Sequence, residues 1–176
     1  MPLTLLTGGA RSGKSALAVR RALAHDGPVV FVATAEPRDE EMAERIVRHR
    51  AERPPGWHTV EAPHELADAV AAQPGDAVLV VDCLALWVSN LVERGDDEDT
   101  VVAHADRLGR LAAERRAPAV VVTNEVGLGL VPMHPVGRAY RDVLGRVNVT
   151  VARHASLAQL VVAGRTLTLD AEPSGG

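Results

Sequence analysis

The sequence predicts an α/β fold, a mostly parallel sheet with helices on both faces, and three observations predict it. Short apolar runs at 3–7, 29–33, 77–82 and 119–123 alternate with helical stretches of roughly 10–15 residues. The runs are almost solidly apolar, as strands covered on both faces must be. The first run feeds directly into Gly8-Gly9-Ala10-Arg11-Ser12-Gly13-Lys14-Ser15, a glycine loop that opens a helix. Together these describe a P-loop NTPase architecture of the RecA-like kind.

The remaining elements follow in order. A helix is expected over 14–25, and a strongly charged one over 39–53 that stops at Pro54-Pro55-Gly56. A short strand at 58–61 and a helix over 64–72, ended by Pro74-Gly75, precede the run at 77–82. Helices over 84–93 and 97–116 come next, the latter opened by Asp97-Glu98-Asp99-Thr100. After the run at 119–123, residues 124–135 read as a glycine-punctuated loop, 136–154 as a helix, and 157–162 and 166–169 as final strands. At 176 residues the chain suits one domain, 1–170, with a tail over 171–176 that frays.

Composition removes several classes of function. A net charge of −4 supplies no field to attract nucleic acid, and the four aromatics, Phe31, Trp57, Trp87 and Tyr140, are too scattered to stack bases. A single cysteine, Cys83, excludes an internal disulfide and suits a reducing compartment. No signal-peptide pattern stands before the first strand, and no apolar stretch reaches the ~20 residues that span a bilayer. A cytoplasmic protein without a membrane span is expected.

The loop at 8–15 satisfies G-x-x-x-x-G-K-[ST] in full. Its glycines let successive backbone N–H groups face inward around an anion, and the following helix adds its positive end. Lys14 is placed to reach the β and γ phosphates of a nucleotide, and Ser15 to offer Mg²⁺ a hydroxyl. Lysine usage argues for the same site. Of nineteen basic residues Lys14 is the sole lysine, so an arginine-favouring chain keeps a slim ammonium here and nowhere else. A chance glycine turn explains none of this.

Asp82 ends an apolar strand, where P-loop proteins hold Mg²⁺ directly or through water. The alternative is an ordinary cap for the next helix. In the charged helix, Met42, Ile46 and His49 fall at i, i+4 and i+7, so His49 is expected to extend an inward-facing stripe. Arg48, Arg50 and Arg53 stand around it. An imidazole nitrogen can attack phosphorus while guanidiniums clamp the phosphate oxygens, but a lone helical histidine is more often simply packed or solvated.

Four segments carry a family resemblance. They are the loop at 7–15, Ile46-Val47-Arg48-His49-Arg50-Ala51-Glu52-Arg53-Pro54, the stretch from Val121 to Pro132, and Arg141-Asp142-Val143-Leu144-Gly145-Arg146-Val147-Asn148. In this order they resemble the bifunctional adenosylcobinamide kinase / adenosylcobinamide-phosphate guanylyltransferase family of cobalamin biosynthesis. The resemblance implies that His49 carries a covalent GMP. It implies nucleotide contacts from Gly8 to Ser15, from Ala33, Thr34 and Ala35, from Arg50, Ala51, Glu52 and Arg53, and from Glu61. Asp82 and Cys83 match a further nucleotide or metal position. Some members carry a second histidine before the nucleophile, where this chain has Arg48. The implied substrates are ATP or GTP with Mg²⁺ and the corrinoid adenosylcobinamide, and the implied assembly is a homo-oligomer, a trimer. A role in a site or a subunit contact is implied for the loop at 124–132, with Asn124 and Glu125 as polar candidates. Two other readings stand beside this one: a small-molecule kinase with no covalent intermediate, and a nucleotide switch or motor working through partner proteins. The guanine-reading N-K-x-D motif of Ras-type switches is absent from 123–126.

Overall fold

Each apolar run read from the sequence forms a strand, and all seven strands join one sheet. The computed structural model describes residues 3–51 and 53–171, less the side chain of Arg45. Glu52 and the tail from 172 therefore lie outside the described residues. The elements are β1 (Leu3–Thr7), α1 (Lys14–Leu23), β2 (Val29–Ala33), α2 (Glu40–Ala51), β3 (His58–Glu61), α3 (Leu66–Ala71), β4 (Val78–Asp82), α4 (Leu84–Arg94), α5 (Glu98–Ala113), β5 (Ala119–Val122), α6 (Pro135–His154), β6 (Leu157–Val162) and β7 (Arg165–Leu169).

The strand order is β3-β2-β4-β5-β1-β6-β7. Every neighbouring pair is parallel except β6–β7, which is antiparallel. The register brings the strand ends level. Ala33 pairs with Asp82, Asp82 with Val122, and Val122 with Leu6. The carboxyl ends of β2, β4, β5 and β1 thus form one rim, where open α/β sheets bind ligands.

The sheet is covered unequally. Helix α1 packs on β1, β4 and β5, while α3, α4, α5 and α6 pack on one another, with α5 and α6 also against β1. Every residue of β1 and β5 is buried. Leu3, Leu6, Leu79, Leu84, Trp87, Leu91 and Leu144 are fully enclosed, each leucine contributing about 1.5–3 kcal/mol. The helix ends follow local chemistry. Asp97 caps α5 by accepting the Thr100 N–H at 2.9 Å, and Gly95 closes α4 at φ 94°. Pro135 begins α6 one residue before the sequence pattern does, because its fixed φ suits the first helical position.

Helix α2 departs from expectation. None of its described residues is buried: Met42 and Ile46 are half-buried and His49 is exposed. The i, i+4, i+7 stripe turns two apolar side chains toward the body, but with so few of them the helix is held at its ends instead. Asp39 caps it by accepting the Met42 N–H at 2.7 Å. Ahead of it, Arg38 donates to Asn90 Oδ1 at 2.6 Å and pairs with Glu93. Behind it, Arg53 lies over the Phe31 ring, 4.0 Å from its centroid, and donates to Thr59 at 3.2 Å.

Candidate active site

The P-loop closes around its own lysine. Lys14 Nζ donates to Gly8 O at 2.9 Å, Gly9 O at 2.6 Å and Ser12 Oγ at 3.3 Å, so each ammonium hydrogen meets an oxygen. Burial pulls its pKa down, against the raising pull of Cys83 and Asp82. Gly8 must be glycine. At φ 149° a Cβ there would stand 2.3 Å from the Val161 carbonyl oxygen. Gly13 and Arg11 adopt φ 101° and 56°, and these turns carry the chain through Ala10 and Ser12 into α1. Two other segments grip the loop. Gly164 N–H, in the β6–β7 turn, donates to Ser12 O at 2.9 Å, and Glu125 N–H donates to Gly8 O at 3.1 Å.

The structure brings Ser15, Lys14, His49, Arg53 and Cys83 into the neighbourhood of Asp82. Its buried carboxylate faces the Ser15 hydroxyl and lies in the field of His49, Lys14 and Arg53. Burial raises its pKa, and these neighbours pull it back. Ser15 is therefore a partner of Asp82 across β5, and Asp82 is not a helix cap: the cap of α4 is Cys83, with no side-chain bond. Cys83 is buried, and desolvation beside Asp82 pushes its thiol up to about 12, so it stays protonated and unreactive.

Polar side chains from the far helices hold the rim. Thr34, fully buried, bonds both backbone groups of Cys83. Asn90 of α4 donates to Thr34 O at 2.8 Å and Pro63 O at 2.9 Å. On the other side, Thr123 donates to Asn148 Oδ1 at 2.6 Å, and Asn148 Nδ2 donates to Asn124 O at 3.0 Å. Sequence reasoning missed Asn90, Asn148 and Arg38. The signal was a polar residue on an apolar helical stripe: Asn90 beside Trp87 and Leu91, and Asn148 beside Leu144 and Val151.

The remaining expected residues sit apart from the phosphate loop. Ala33 and Ala35 flank Thr34 on the rim. Arg50 pairs with Glu61 at 3.5 Å, both exposed, and Ala51 ends α2 exposed. Glu52 lies outside the described residues. The three arginines expected around His49 divide: Arg48 is exposed, Arg50 holds Glu61, and Arg53 holds Phe31 and Thr59. The site is an open rim. A cavity of about 220 Å³ among Thr4, Arg21, His25 and Leu157 lies at the opposite ends of the strands, away from this chemistry.

Comparison with known proteins decides the family. The model described as cobinamide kinase / cobinamide phosphate guanyltransferase matches residues 4–169. The chain belongs to this family. Membership makes it an enzyme with both activities, a kinase and a guanyltransferase of cobalamin biosynthesis. Among relatives of the family, the bifunctional adenosylcobalamin biosynthesis protein CobP of Pseudomonas aeruginosa is 38% identical, covering 96% of this chain and 98% of its own length. CobU of Salmonella typhimurium is 41% identical, over 92% of this chain and 96% of its own. Solved structures show the fold alone. The flagellar accessory protein FlaH of Methanocaldococcus jannaschii superposes with a TM-score of 0.52 at 14% identity, over 94% of this chain and 74% of that one. The RadB recombinase gives 0.51 at 15%, over 90% and 73%. No helix among the described residues is long and apolar enough to cross a membrane.

Proposed function

We propose that one phosphate site, built on Gly8 to Ser15, serves both activities, and that GMP passes through a covalent bond to His49. In the kinase step the hydroxyl of the aminopropanol arm of adenosylcobinamide attacks the γ-phosphorus of ATP or GTP. The bond to the β-phosphate oxygen breaks, a nucleoside diphosphate leaves and the hydroxyl proton is released. In the transfer step a lone pair of the His49 ring attacks the α-phosphorus of GTP and pyrophosphate leaves. A phosphate oxygen of the phosphorylated corrinoid then attacks the same phosphorus, the phosphorus–nitrogen bond breaks, and adenosylcobinamide-GDP departs with the imidazole restored.

What supports this reading is the rim on which the ends of β1, β2 and β4 stand level, with Asp82 beside the phosphate loop and His49 near enough to Asp82 to lower its pKa. Lys14 neutralises phosphate charge as it develops, and Arg50 and Arg53 stand within a few residues of the nucleophile to do the same. Ala33, Thr34, Ala35, Ala51, Glu52, Glu61 and Cys83 complete the proposed nucleotide contacts.

Mg²⁺ suits the same place. Among the described residues no group of three or more His, Cys, Asp or Glu could hold a metal ion. Mg²⁺ needs no such cage, since it keeps several waters and takes one or two protein oxygens plus substrate phosphates. The paired oxygens of Ser15 and Asp82 fit that demand and would hold the ion, which supplies charge neutralisation on the phosphates. A cytoplasmic homotrimer is the proposed state, supported by the family resemblance.

The deciding experiment is intact mass after incubation with GTP and Mg²⁺, followed by peptide mapping. A gain of one GMP on His49 is expected. No adduct on any histidine would favour a kinase without a covalent intermediate, and nucleotide hydrolysis dependent on a partner protein would favour a switch or motor.

A further inference from the structure

The segment at 123–134 is a built loop that turns apolar side chains to solvent. Its root is tied to the phosphate loop by the Glu125 N–H bond to Gly8 O at 3.1 Å. Its first turn is closed by Gly127 N–H on Glu125 Oε1 at 2.9 Å. Its far end is fixed by Arg138, which donates to Pro132 O at 3.2 Å and Met133 O at 2.6 Å. Pro132 lies so close to Gly137 that a Cβ there would meet it at 2.9 Å. Yet this shaped backbone leaves Leu128 83%, Leu130 96% and Met133 96% exposed, with Val131 beside them at 63%. Large apolar groups held outward on a fixed frame mark a binding surface.

What covers them follows from where they stand. Leu128 is three residues past the bond to Gly8, so its Cα lies within about 11 Å of Glu125. The loop that carries these side chains therefore starts beside the phosphate loop. Nucleotide phosphates have no use for leucine and methionine. The acceptor of both reactions does: a corrin ring presents a broad methyl-studded face, and its aminopropanol arm must reach the phosphates. We infer that Leu128, Leu130, Val131 and Met133 form the docking face for the corrin ring of the acceptor. The inference rests on the proposed function and assigns the second substrate's place in it. Glu125 connects the two halves, so that the ring and the phosphate loop are held on one backbone hydrogen bond.

The test compares wild type with the Leu130→Ser/Met133→Ser double variant. Cobinamide phosphorylation is followed for KM and kcat, GMP adduct formation by intact mass with GTP and Mg²⁺ alone, and assembly by light scattering. Both side chains are solvent-exposed, so the variant is expected to fold. The inference expects the KM for cobinamide to rise about tenfold or more, with kcat at saturation and the mass of the assembly retained. The adduct, whose formation involves no corrinoid, should form as in wild type. A wild-type KM in the variant would overturn the inference and leave the parent reading intact. A smaller assembly with unchanged KM would overturn it too, giving the loop to a second copy of the chain. A wild type that forms the adduct but phosphorylates no cobinamide would overturn the kinase assignment and this docking face with it.

Discussion

Thr34 Oγ1 grips both sides of Cys83: it donates to the Cys83 carbonyl at 2.8 Å and accepts the Cys83 N–H at 2.9 Å. Asn90 holds the Thr34 carbonyl in turn at 2.8 Å. One buried polar chain therefore joins α4, the end of β2 and the residue beside Asp82. Networks of this kind specify geometry when every member is satisfied.

Thr34→Val keeps the shape and removes the hydroxyl. The buried Cys83 N–H then loses its partner, while the Cys83 carbonyl keeps the Trp87 N–H at 3.2 Å. Urea unfolding should show a loss of roughly 1–3 kcal/mol. Thr34→Ser should keep most of that stability. A Thr34→Val midpoint equal to wild type would refute the clasp.

Lys14→Ala should abolish both activities and sharply weaken nucleotide binding, measured by calorimetry with GTP. Lys14→Arg should fail as well, since a planar guanidinium does not reproduce a point charge that meets three converging oxygens. Adduct formation by Lys14→Ala at wild-type GTP affinity would move the phosphate site elsewhere.

Asp82 makes opposite demands on stability and function. Burial raises its pKa, so the folded protein binds that proton more readily than the unfolded chain does. Its contribution is fully present below the unfolded value of 3.8 and is lost as pH rises through the higher folded value. Asp82→Asn should therefore make the nucleotide-free protein more stable at neutral pH and flatten this part of the pH profile. The same change, like Ser15→Ala, should raise the Mg²⁺ concentration needed for turnover, Ser15→Ala the more strongly. An unchanged Mg²⁺ titration in Asp82→Asn would remove the carboxylate from the metal site.

His49→Ala should lose the GMP adduct and the guanyltransferase activity while retaining measurable kinase activity, because phosphoryl transfer needs positioning and charge but no protein nucleophile. The wild-type adduct should be labile in acid and comparatively stable in alkali. Peptide mapping should exclude His25, His58, His64, His104, His134 and His154. An adduct that persists in His49→Ala would name another histidine.

Two helical glycines should respond with opposite signs. A Cβ on Gly109 of α5 would stand 2.5 Å from the His154 ring of α6, whose Nε2 meets Asp106 at 2.8 Å. Gly109→Ala should cost about 1–3 kcal/mol through overpacking. Gly145 of α6 is exposed with no atom within 4 Å, so Gly145→Ala should add about 0.5–1 kcal/mol. Thermal unfolding of the two variants checks both.

What the sequence determined by itself was local. The phosphate loop is eight contiguous residues whose glycines, lysine and serine act within one turn, and the strands are runs whose apolar character reports burial on both faces. Asp82 was legible because it ends such a run. What the tertiary structure alone decided depends on strand order. The sheet sets β4 beside β2, and so Thr34 meets Cys83 and Asn90 meets Thr34 across 49 and 56 residues. No spacing in the chain encodes those pairings. Nor does the helical period reveal depth: Met42, Ile46 and His49 share a face, but a period fixes a direction around the helix axis and not the distance to a core. In this fold that distance is set by Arg38 and Arg53, whose partners Asn90, Glu93 and Phe31 belong to other elements, and it leaves His49 exposed on a helix none of whose described residues is buried, within the field of Asp82.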